Sequence, residues 1–422
     1  MGNRIDGNRQ LSAQAQNPGL DRSLSLFQAT LYGLGVTIGA GIYVLVGAAA
    51  AHSAMYAPFA FVIAALVMSL TAASFAELAG RIPVAAGEAA YAKLAFNSDR
   101  LATAVGLCVV AIAVVSASAI SAGAAGYLAV FVGLPVFLLV ILVVLAMGAI
   151  SAWGIKESVV FAGIMTLVEI GGLLLIIIAG MVSLPDLFAR LPEALPSFAR
   201  TGSAGAVLST TLLAVFAFIG FESLANVAEE VRDPERTLPK AIFLTLLIST
   251  ILYMLVVWVA LVAVPLPELI GSSAPLALVF ERVTGASPRI MSVIAIVATL
   301  NGIVVQFIMS SRVLYGLGRQ GQLPPIFARV NARSRTPLFA TGITVGLVLL
   351  FALFLPLHDL ADLTSRLTLL VFAVVNLALA WIKLRGDPAP RRAYVAPSWV
   401  PWAGCVSCLA LFIAELRFGA SL

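Results

Sequence analysis

Charged residues are scarce in this chain. Asp, Glu, Lys and Arg together make up 11% of its 422 residues, whereas 61% of the residues are hydrophobic. Soluble domains average about 25% charged residues, so the composition excludes an ordinary soluble protein. Apolar runs of about 18 or more residues recur along the chain, and each can cross a hydrocarbon core about 30 Å thick. The composition therefore predicts an all-α, polytopic membrane protein in a lipid bilayer.

Several signatures of other functions are also missing. The chain has three cysteines and two histidines. Cys405 and Cys408 form a C-x-x-C inside an apolar run, where we interpret them as packing residues. No G-x-x-x-x-G-K-[ST] loop is present to hold ATP phosphates, and no nucleophile–base set is visible. From these absences we predict that the protein is not an enzyme and that it uses no cofactor, metal ion or nucleic acid.

Eleven membrane helices are predicted, and positive charge sets their orientation. Of the 25 Lys and Arg residues, 19 fall on the side of the membrane that carries the N-terminus when successive helices alternate in direction. This bias places the N-terminus inside and, because the helix count is odd, the C-terminus outside. The predicted helices span 25–51, 56–79, 101–131, 134–152, 158–182, 206–230, 238–264, 287–319, 338–356, 360–382 and 399–417.

Glycines interrupt two of the apolar segments, one near the start of each half of the chain. The first reads GVTIGAGIY over Gly35–Tyr43, and the second reads FAFIGFES over Phe216–Ser223. Glycine weakens a helix by about 1 kcal/mol relative to alanine, and unpaired backbone groups in lipid cost several kcal/mol each. The alternative is that these glycines only allow close helix packing. Two matched breaks instead favour the substrate site of a secondary transporter.

Five predicted helices start at each break. Because five is odd, the second half begins on the opposite side of the membrane, which is the arrangement of an inverted repeat. We therefore divide the chain into a cytoplasmic tail (1–24), a first five-helix repeat (25–182), a second five-helix repeat (206–382) and a peripheral eleventh helix (399–417).

Four motifs in the expected order resemble the amino acid–polyamine–organocation (APC) superfamily of permeases. They are LFQATLYGLGVTIGAGIY from Leu26, FAELAGRIP followed by GEAAY from Phe75, the stretch from FAFIGFE to EEVRDPERTLP starting at Phe216, and SRVLYGLGRQGQLP from Ser311. The sequence is most similar to bacterial amino-acid permeases related to the cationic amino-acid transporters. The resemblance implies a leucine-transporter-type 5+5 helix bundle in the cytoplasmic membrane of a bacterium.

The resemblance also implies a substrate site for an amino acid. Its carboxylate would accept from the N–H groups of Gly39, Ala40 and Gly41, where a half-helix begins and its dipole is positive. Its ammonium would donate to freed carbonyls at half-helix ends. These would be the carbonyls of Thr37, Phe216, Ala217 and Ile219, with the Phe216 ring as a lid. The predicted site comprises Thr37, Ile38, Gly39, Ala40, Gly41, Phe216, Ala217, Phe218, Ile219 and Gly220.

Two acids within apolar segments are candidates for proton coupling. Glu169 stands where related permeases often carry a lysine, and an ionisable residue inside the membrane is a functional hypothesis by default. The alternative is a structural acid that holds the first break. Glu222 follows the second break, and there we favour a structural acid bonded to the backbone over a ligand for a cationic substrate.

The sequence leaves several functions open. The leading interpretation is a secondary active transporter that moves an amino acid by alternating access, coupled to protons. The alternatives are an exchanger of amino acids or polyamines and, from another class, a transporter-like receptor that binds a solute without moving it. The identity of the amino acid, the coupling ion and the oligomeric state are not determined by the sequence.

Overall fold

The structure is a computed structural model that describes residues 24–39, 41–82, 87–153, 159–196, 203–319, 321–331, 334, 336–390 and 393–418. The predicted tail, apart from Leu24, and the predicted site residue Ala40 lie outside these residues. The α-helices of the described chain are α1 (Leu26–Ile38), α2 (Gly41–Ser53), α3 (Ala57–Arg81), α4 (Gly87–Phe96), α5 (Asp99–Leu128), α6 (Val136–Trp153), α7 (Val159–Ser183), α8 (Ser203–Phe218), α9 (Pro234–Ala263), α10 (Leu266–Gly271), α11 (Pro275–Thr284), α12 (Arg289–Arg319), α13 (Leu338–Phe354), α14 (Leu357–Leu384) and α15 (Val400–Phe418). Short 3-10 segments cover Ala54–Tyr56, Leu191–Ala194, Phe221–Glu230 and Pro325–Ala328.

Most of these helices are membrane helices by length and composition. Eight segments of the described chain are long and apolar enough to cross a membrane, and α1, α13 and most of α15 are shorter apolar helices. One of the eight segments, Gly41–Arg81, contains both α2 and α3, which are separated by a turn at Ala54 with φ of 48°. The prediction of an all-α polytopic membrane protein is confirmed. The division into two five-helix repeats and a peripheral helix stays a prediction.

Two of the three longest helices match the two long predicted segments. They are α5, with 30 residues, and α12, with 31 residues, and α9 also has 30 residues. At 1.5 Å per residue such a helix is about 45 Å long, so it extends beyond the hydrocarbon core or tilts within it. Helices α5 and α12 pack along each other, which brings residues from the middle of both to the centre of the molecule.

A buried polar network fixes α15 against its neighbours. Asn376 on α14 donates to Thr71 Oγ1 at 2.9 Å and accepts from Ser74 Oγ at 2.6 Å, so its amide connects α14 to α3. On α15, a Cβ added at Gly404 would lie 2.5 Å from the Asn376 Oδ1 atom. Only glycine allows α15 to approach this closely. Cys408 lies 3.6 Å from Thr71 Oγ1, in agreement with a packing role for this cysteine.

A buried carboxylate ties α3 to the chain that leads into α15. The i, i+4 spacing of Glu77 and Arg81 alone suggests an exposed ion pair, yet Glu77 is fully buried. Its Oε1 atom accepts from Arg81 at 2.7 Å, and its Oε2 atom accepts from Lys383 and from the Ala396 N–H, both at 2.8 Å. Lys383 also donates to the Ala396 carbonyl at 2.6 Å. One acid therefore joins three parts of the chain.

Candidate functional site at two broken helices

The two predicted breaks lie in direct contact. Helix α1 ends at Ile38 and α2 begins at Gly41, while α8 ends at Phe218 and a 3-10 segment begins at Phe221. A Cβ added at Gly41 would lie 2.5 Å from the Ala217 Cα, so the two backbones touch. The glycine pattern predicts non-helical backbone over 38–41 and 217–221. Gly39, whose φ of −52° and ψ of −26° stay in the right-handed helical region, is the one described residue between α1 and α2. At the second break Ala217 and Phe218 remain in α8, and residues 219–220 separate this helix from the 3-10 segment.

Gly220 is required by the second break. Its φ of +139° lies in a region that side chains rarely allow, and an added Cβ would lie 2.7 Å from the backbone nitrogen of Thr37. The Gly220 N–H donates to Glu222 Oε2 at 2.8 Å. Glu222 is therefore bonded to the backbone of the break, as the structural interpretation of this acid expects.

The chain after the second break differs from the prediction. The sequence predicts one interrupted α-helix to residue 230, whereas the structure has a 3-10 segment of ten residues, Phe221–Glu230. Runs of 3-10 helix longer than three or four residues are uncommon, because their hydrogen-bond geometry is poorer than that of an α-helix. This segment thus has weaker internal restraints than the α-helices around it.

One hydroxyl joins the carbonyl ends of both breaks. The Oη atom of Tyr253, on α9, lies 2.8 Å from the Thr37 carbonyl oxygen and 3.0 Å from the Ala217 carbonyl oxygen. The Tyr253 ring also packs against Phe218 and Phe61, with centroid distances of 5.3 and 6.1 Å. Phe218 thereby belongs to the aromatic packing behind the break.

A small cavity lies beside the breaks. Its volume is about 20 Å³, which is room for about one water molecule. The breaks contribute Thr37, Gly41, Phe216 and Ile219, with Gly35 and Val36 from the preceding turn of α1. The opposite wall consists of Ser116 and Ile120 on α5 and of Asn301, Gly302, Val305 and Gln306 on α12.

Only part of the predicted site faces this cavity. Thr37, Gly41, Phe216 and Ile219 line it. The remaining described members lie in the packing around the breaks and do not line the cavity; they are Ile38, Gly39, Ala217, Phe218 and Gly220.

The residues of the opposite wall were missed by the sequence reasoning. The signal was present, because Asn301 and Gln306 are polar residues within the long apolar segment 287–319. Their direction towards the break could not be derived from that segment alone, since it depends on how α12 packs against the rest of the bundle.

Glu169, on α7, lies behind the first break. The side chain is fully buried, and a Cβ added at Gly39 would lie 3.4 Å from its Oε2 atom. Neither carboxylate oxygen has a hydrogen-bond partner of normal geometry among the described residues, although the Asn301 side chain lies near enough to interact with it. Asn301 thus contacts the cavity on one side and this acid on the other. The Glu169 main-chain oxygen accepts from the Tyr43 hydroxyl at 2.6 Å.

A second buried acid lies near Glu222. Glu88, on α4, interacts electrostatically with Glu222 and with Tyr91, whose hydroxyl is buried without a partner among the described residues. Burial raises the pKa of the Glu88 carboxyl above its usual value, because the charged form loses its hydration. The rings of Tyr91, Phe75 and Phe221 follow one another, with centroid distances of 6.1 and 5.9 Å, and connect α4 to the second break.

Contacts tie the broken helices to other segments at both ends. At one end the Arg232 N–H donates to the Leu24 carbonyl at 2.9 Å, which ties the start of α1 to the end of the 3-10 segment. At the other end α10 and α11 pack against α2. A Cβ added at Gly47 on α2 would lie 3.0 Å from the Leu269 carbonyl oxygen.

A membrane bundle with two touching helix breaks beside a small cavity has the architecture of a secondary transporter. The comparison with known proteins agrees. The family model described as amino acid permease matches residues 24–417, and the chain belongs to this family, within the APC superfamily.

Several characterised relatives are similar over most of the chain. The branched-chain amino acid permease BcaP of Bacillus subtilis is 29% identical over 96% of this chain and 90% of its own length. The methylthioribose transporter of the same species is 31% identical over 94% of this chain and 88% of its own length. The vacuolar cationic amino acid transporter 2 of Arabidopsis thaliana is 31% identical over 87% of this chain and 61% of its own length. The protein is therefore an integral membrane transporter.

Proposed function

We propose that this transporter carries an amino acid across the cytoplasmic membrane of a bacterium by alternating access, coupled to protons. The observation that carries the proposal is the direct contact of the two breaks, Gly41 against Ala217, beside the cavity. A zwitterion has both the charges that such a site suits, because half-helix N-termini favour a carboxylate and freed carbonyls favour an ammonium. The permease family and its relatives support an amino acid or a related solute.

Alternating access is supported by the small size of the cavity. The cavity of about 20 Å³ is too small for an amino acid, so binding and release require the walls to separate. The contacts between Arg232 and Leu24 and between Gly47 and Leu269 are the ones that must open in turn. In the orientation predicted from the positive charges, the first pair faces the cytoplasm and the second faces outside.

Glu169 is the residue we propose for proton coupling. It is buried beside the first break, neither of its carboxylate oxygens has a hydrogen-bond partner of normal geometry among the described residues, and Asn301 links it to the cavity wall. A buried carboxylate without a counter-charge favours its protonated form. A change at the break during transport would alter the surroundings of this carboxylate, and with them its affinity for a proton. Glu222 is the second candidate, although its bond to Gly220 gives it a structural role.

The test is transport by the purified protein in liposomes with an imposed pH gradient. The amino acid is first chosen by a thermal-shift screen, in which a ligand at 100 times its dissociation constant adds about 2.7 kcal/mol of stability. We expect accumulation in the direction of the proton gradient. In Glu169→Gln we expect this accumulation to fall sharply while exchange of internal for external substrate continues, since exchange needs no net proton movement. The exposed Glu281→Gln serves as the control variant.

Each alternative gives a different result. Unchanged pH-driven accumulation in Glu169→Gln would show that this acid is structural. Exchange without any accumulation by the wild type would identify an exchanger of amino acids or polyamines. Binding without exchange or accumulation would identify a receptor.

A further inference from the structure

Gln306 presents an amide with unused hydrogen-bonding capacity to the cavity. Its side chain lies on α12, lines the cavity and is only 9% exposed. The Oε1 atom has no hydrogen-bond partner among the described residues. The Nε2 atom donates to Ser116 Oγ at 3.5 Å, which is a long and weak contact. Buried polar atoms are nearly always paired, so an unpaired amide in a ligand cavity indicates a group that pairs with the ligand.

The cavity wall also lacks charge. Among the described residues, those that line it from α1, α2, α5, α8, α12 and the turn after α8 include no Asp, Glu, Lys, Arg or His. A charged substrate side chain would find no counter-ion among these lining residues, and a buried charge without one is strongly unfavourable. The uncharged polar groups on the wall opposite the breaks are Ser116, Asn301 and Gln306. This wall therefore suits a side chain that is uncharged and forms hydrogen bonds.

We infer that the substrates are neutral amino acids with a short hydroxyl or carboxamide side chain, whose polar end pairs with Gln306 and Ser116. This inference rests on the proposed function, since it assumes that the amino-acid backbone binds at the breaks. An amide offers both a donor and an acceptor, so the pairing holds for either orientation of the Gln306 side chain. Ile120 and Val305 flank the polar groups and limit the length of the side chain.

Threonine and valine form a matched pair of ligands for the test, because they differ by one hydroxyl and have similar shapes. An apolar ligand leaves the buried amide unpaired, so we expect the wild type to bind threonine about tenfold or more tightly than valine. We likewise expect the wild type to bind asparagine more tightly than leucine. The affinities are measured by competition against uptake of a labelled amino acid in liposomes.

Variants of the wall test the assignment to Gln306 and Ser116. In Gln306→Leu, which keeps the size of the side chain, the threonine-to-valine ratio should fall to about one, mainly through weaker binding of threonine. Ser116→Ala should lower the ratio by a smaller factor. Ser118→Ala is the matched control, because Ser118 lies on the same helix but bonds to Val114 and Val348 and does not line the cavity. This variant should keep the wild-type ratio.

The outcomes separate this inference from the function on which it rests. A wild type that transports valine or lysine as well as threonine overturns the inference, although amino-acid transport stands. The inference is also overturned if Gln306→Leu transports and its threonine-to-valine ratio equals that of the wild type. If Gln306→Leu does not fold, two other measurements test the inference. It is overturned if the wild type binds threonine and valine with equal affinity and Ser116→Ala leaves the ratio of the two affinities unchanged. Failure of every amino acid to bind would instead refute the proposed function.

Discussion

The hydroxyl of Tyr253 lies 2.8 Å from the carbonyl oxygen of Thr37 and also reaches the Ala217 carbonyl at 3.0 Å. One O–H group therefore serves the carbonyl ends of both broken helices. A hydroxyl has a single proton, so the two carbonyls share one donor. Tyr253 fixes the direction in which these oxygens point. The Thr37 carbonyl keeps a second lone pair, and because Thr37 lines the cavity we propose that this lone pair accepts from a substrate ammonium.

Removal of this hydroxyl should weaken substrate binding. In Tyr253→Phe the two carbonyls lose their shared donor inside the bundle, and a hydrogen bond of this kind contributes about 1 kcal/mol. We expect binding of the transported amino acid to weaken about fivefold and the melting temperature to fall by a few degrees. The control is Tyr91→Phe, because the Tyr91 hydroxyl has no partner among the described residues. Equal effects of the two variants would show that the contact with the breaks is unimportant.

A side chain at Gly41 should separate the two breaks. In Gly41→Ala the new Cβ would lie 2.5 Å from the Ala217 Cα, and the backbone of α8 cannot move as easily as a side chain. Overpacking costs about 1–3 kcal/mol, so we expect uptake to fall about tenfold or more. The matched control is Gly171→Ala on α7, where an added Cβ meets no atom within 4 Å. Normal uptake by Gly41→Ala would contradict the close contact of the breaks.

Glu88 should make the stability of the protein depend on pH. Burial raises its pKa in the folded protein above the reference value of 4.5, so the folded state favours the protonated carboxyl. The contribution of Glu88 to stability is full below the pKa that this carboxyl has in the unfolded chain. It is lost as the pH rises through the pKa that the carboxyl has in the folded protein. Glu88→Gln should therefore raise the melting temperature at pH 8 and change it little at pH 4.5. The titratable groups that face residue 88 are Tyr91 and Glu222, and both are present in the wild type and in the Glu88→Gln variant.

The control for this prediction is Asp99→Asn, whose carboxylate is largely exposed in its pair with Lys93. It should show no comparable dependence on pH, because an exposed ion pair contributes little. A melting temperature of Glu88→Gln that falls more at pH 8 than at pH 4.5 would contradict the prediction, because it would show that the folded protein stabilises the charged carboxylate.

Glu77 should be more important for stability than for transport chemistry. In Glu77→Gln the side chains of Arg81 and Lys383, which are only 10% and 12% exposed, lose their shared counter-charge. Removal of one partner from a buried ion pair typically costs about 3–5 kcal/mol, so a large drop in melting temperature is expected. The control, Glu268→Gln, breaks an exposed pair with Arg282. If the melting temperature of Glu77→Gln falls no further than that of this control, the buried ion pairs are not required for stability.

The sequence determined the features that depend on local composition. Long apolar runs specify membrane helices wherever they occur, and the glycines of GVTIGAGIY and FAFIGFES weaken the helix at those positions whatever surrounds them. The helix order and both breaks could be predicted for this reason, whereas the family was inferred from the resemblance of four motifs. The buried acid Glu169 was also visible, because an ionisable residue in an apolar run is rare.

The tertiary structure decided which groups meet at the breaks. Tyr253 follows Thr37 by 216 positions, and Gln306 follows Ser116 by 190, so no local pattern relates them. The burial of Glu77 depends on Lys383 and on the chain before α15, and the i, i+4 spacing carries no information about either. The sequence thus determined where the helices break, because propensity is local, and the packing of distant helices determined which side chains surround the breaks.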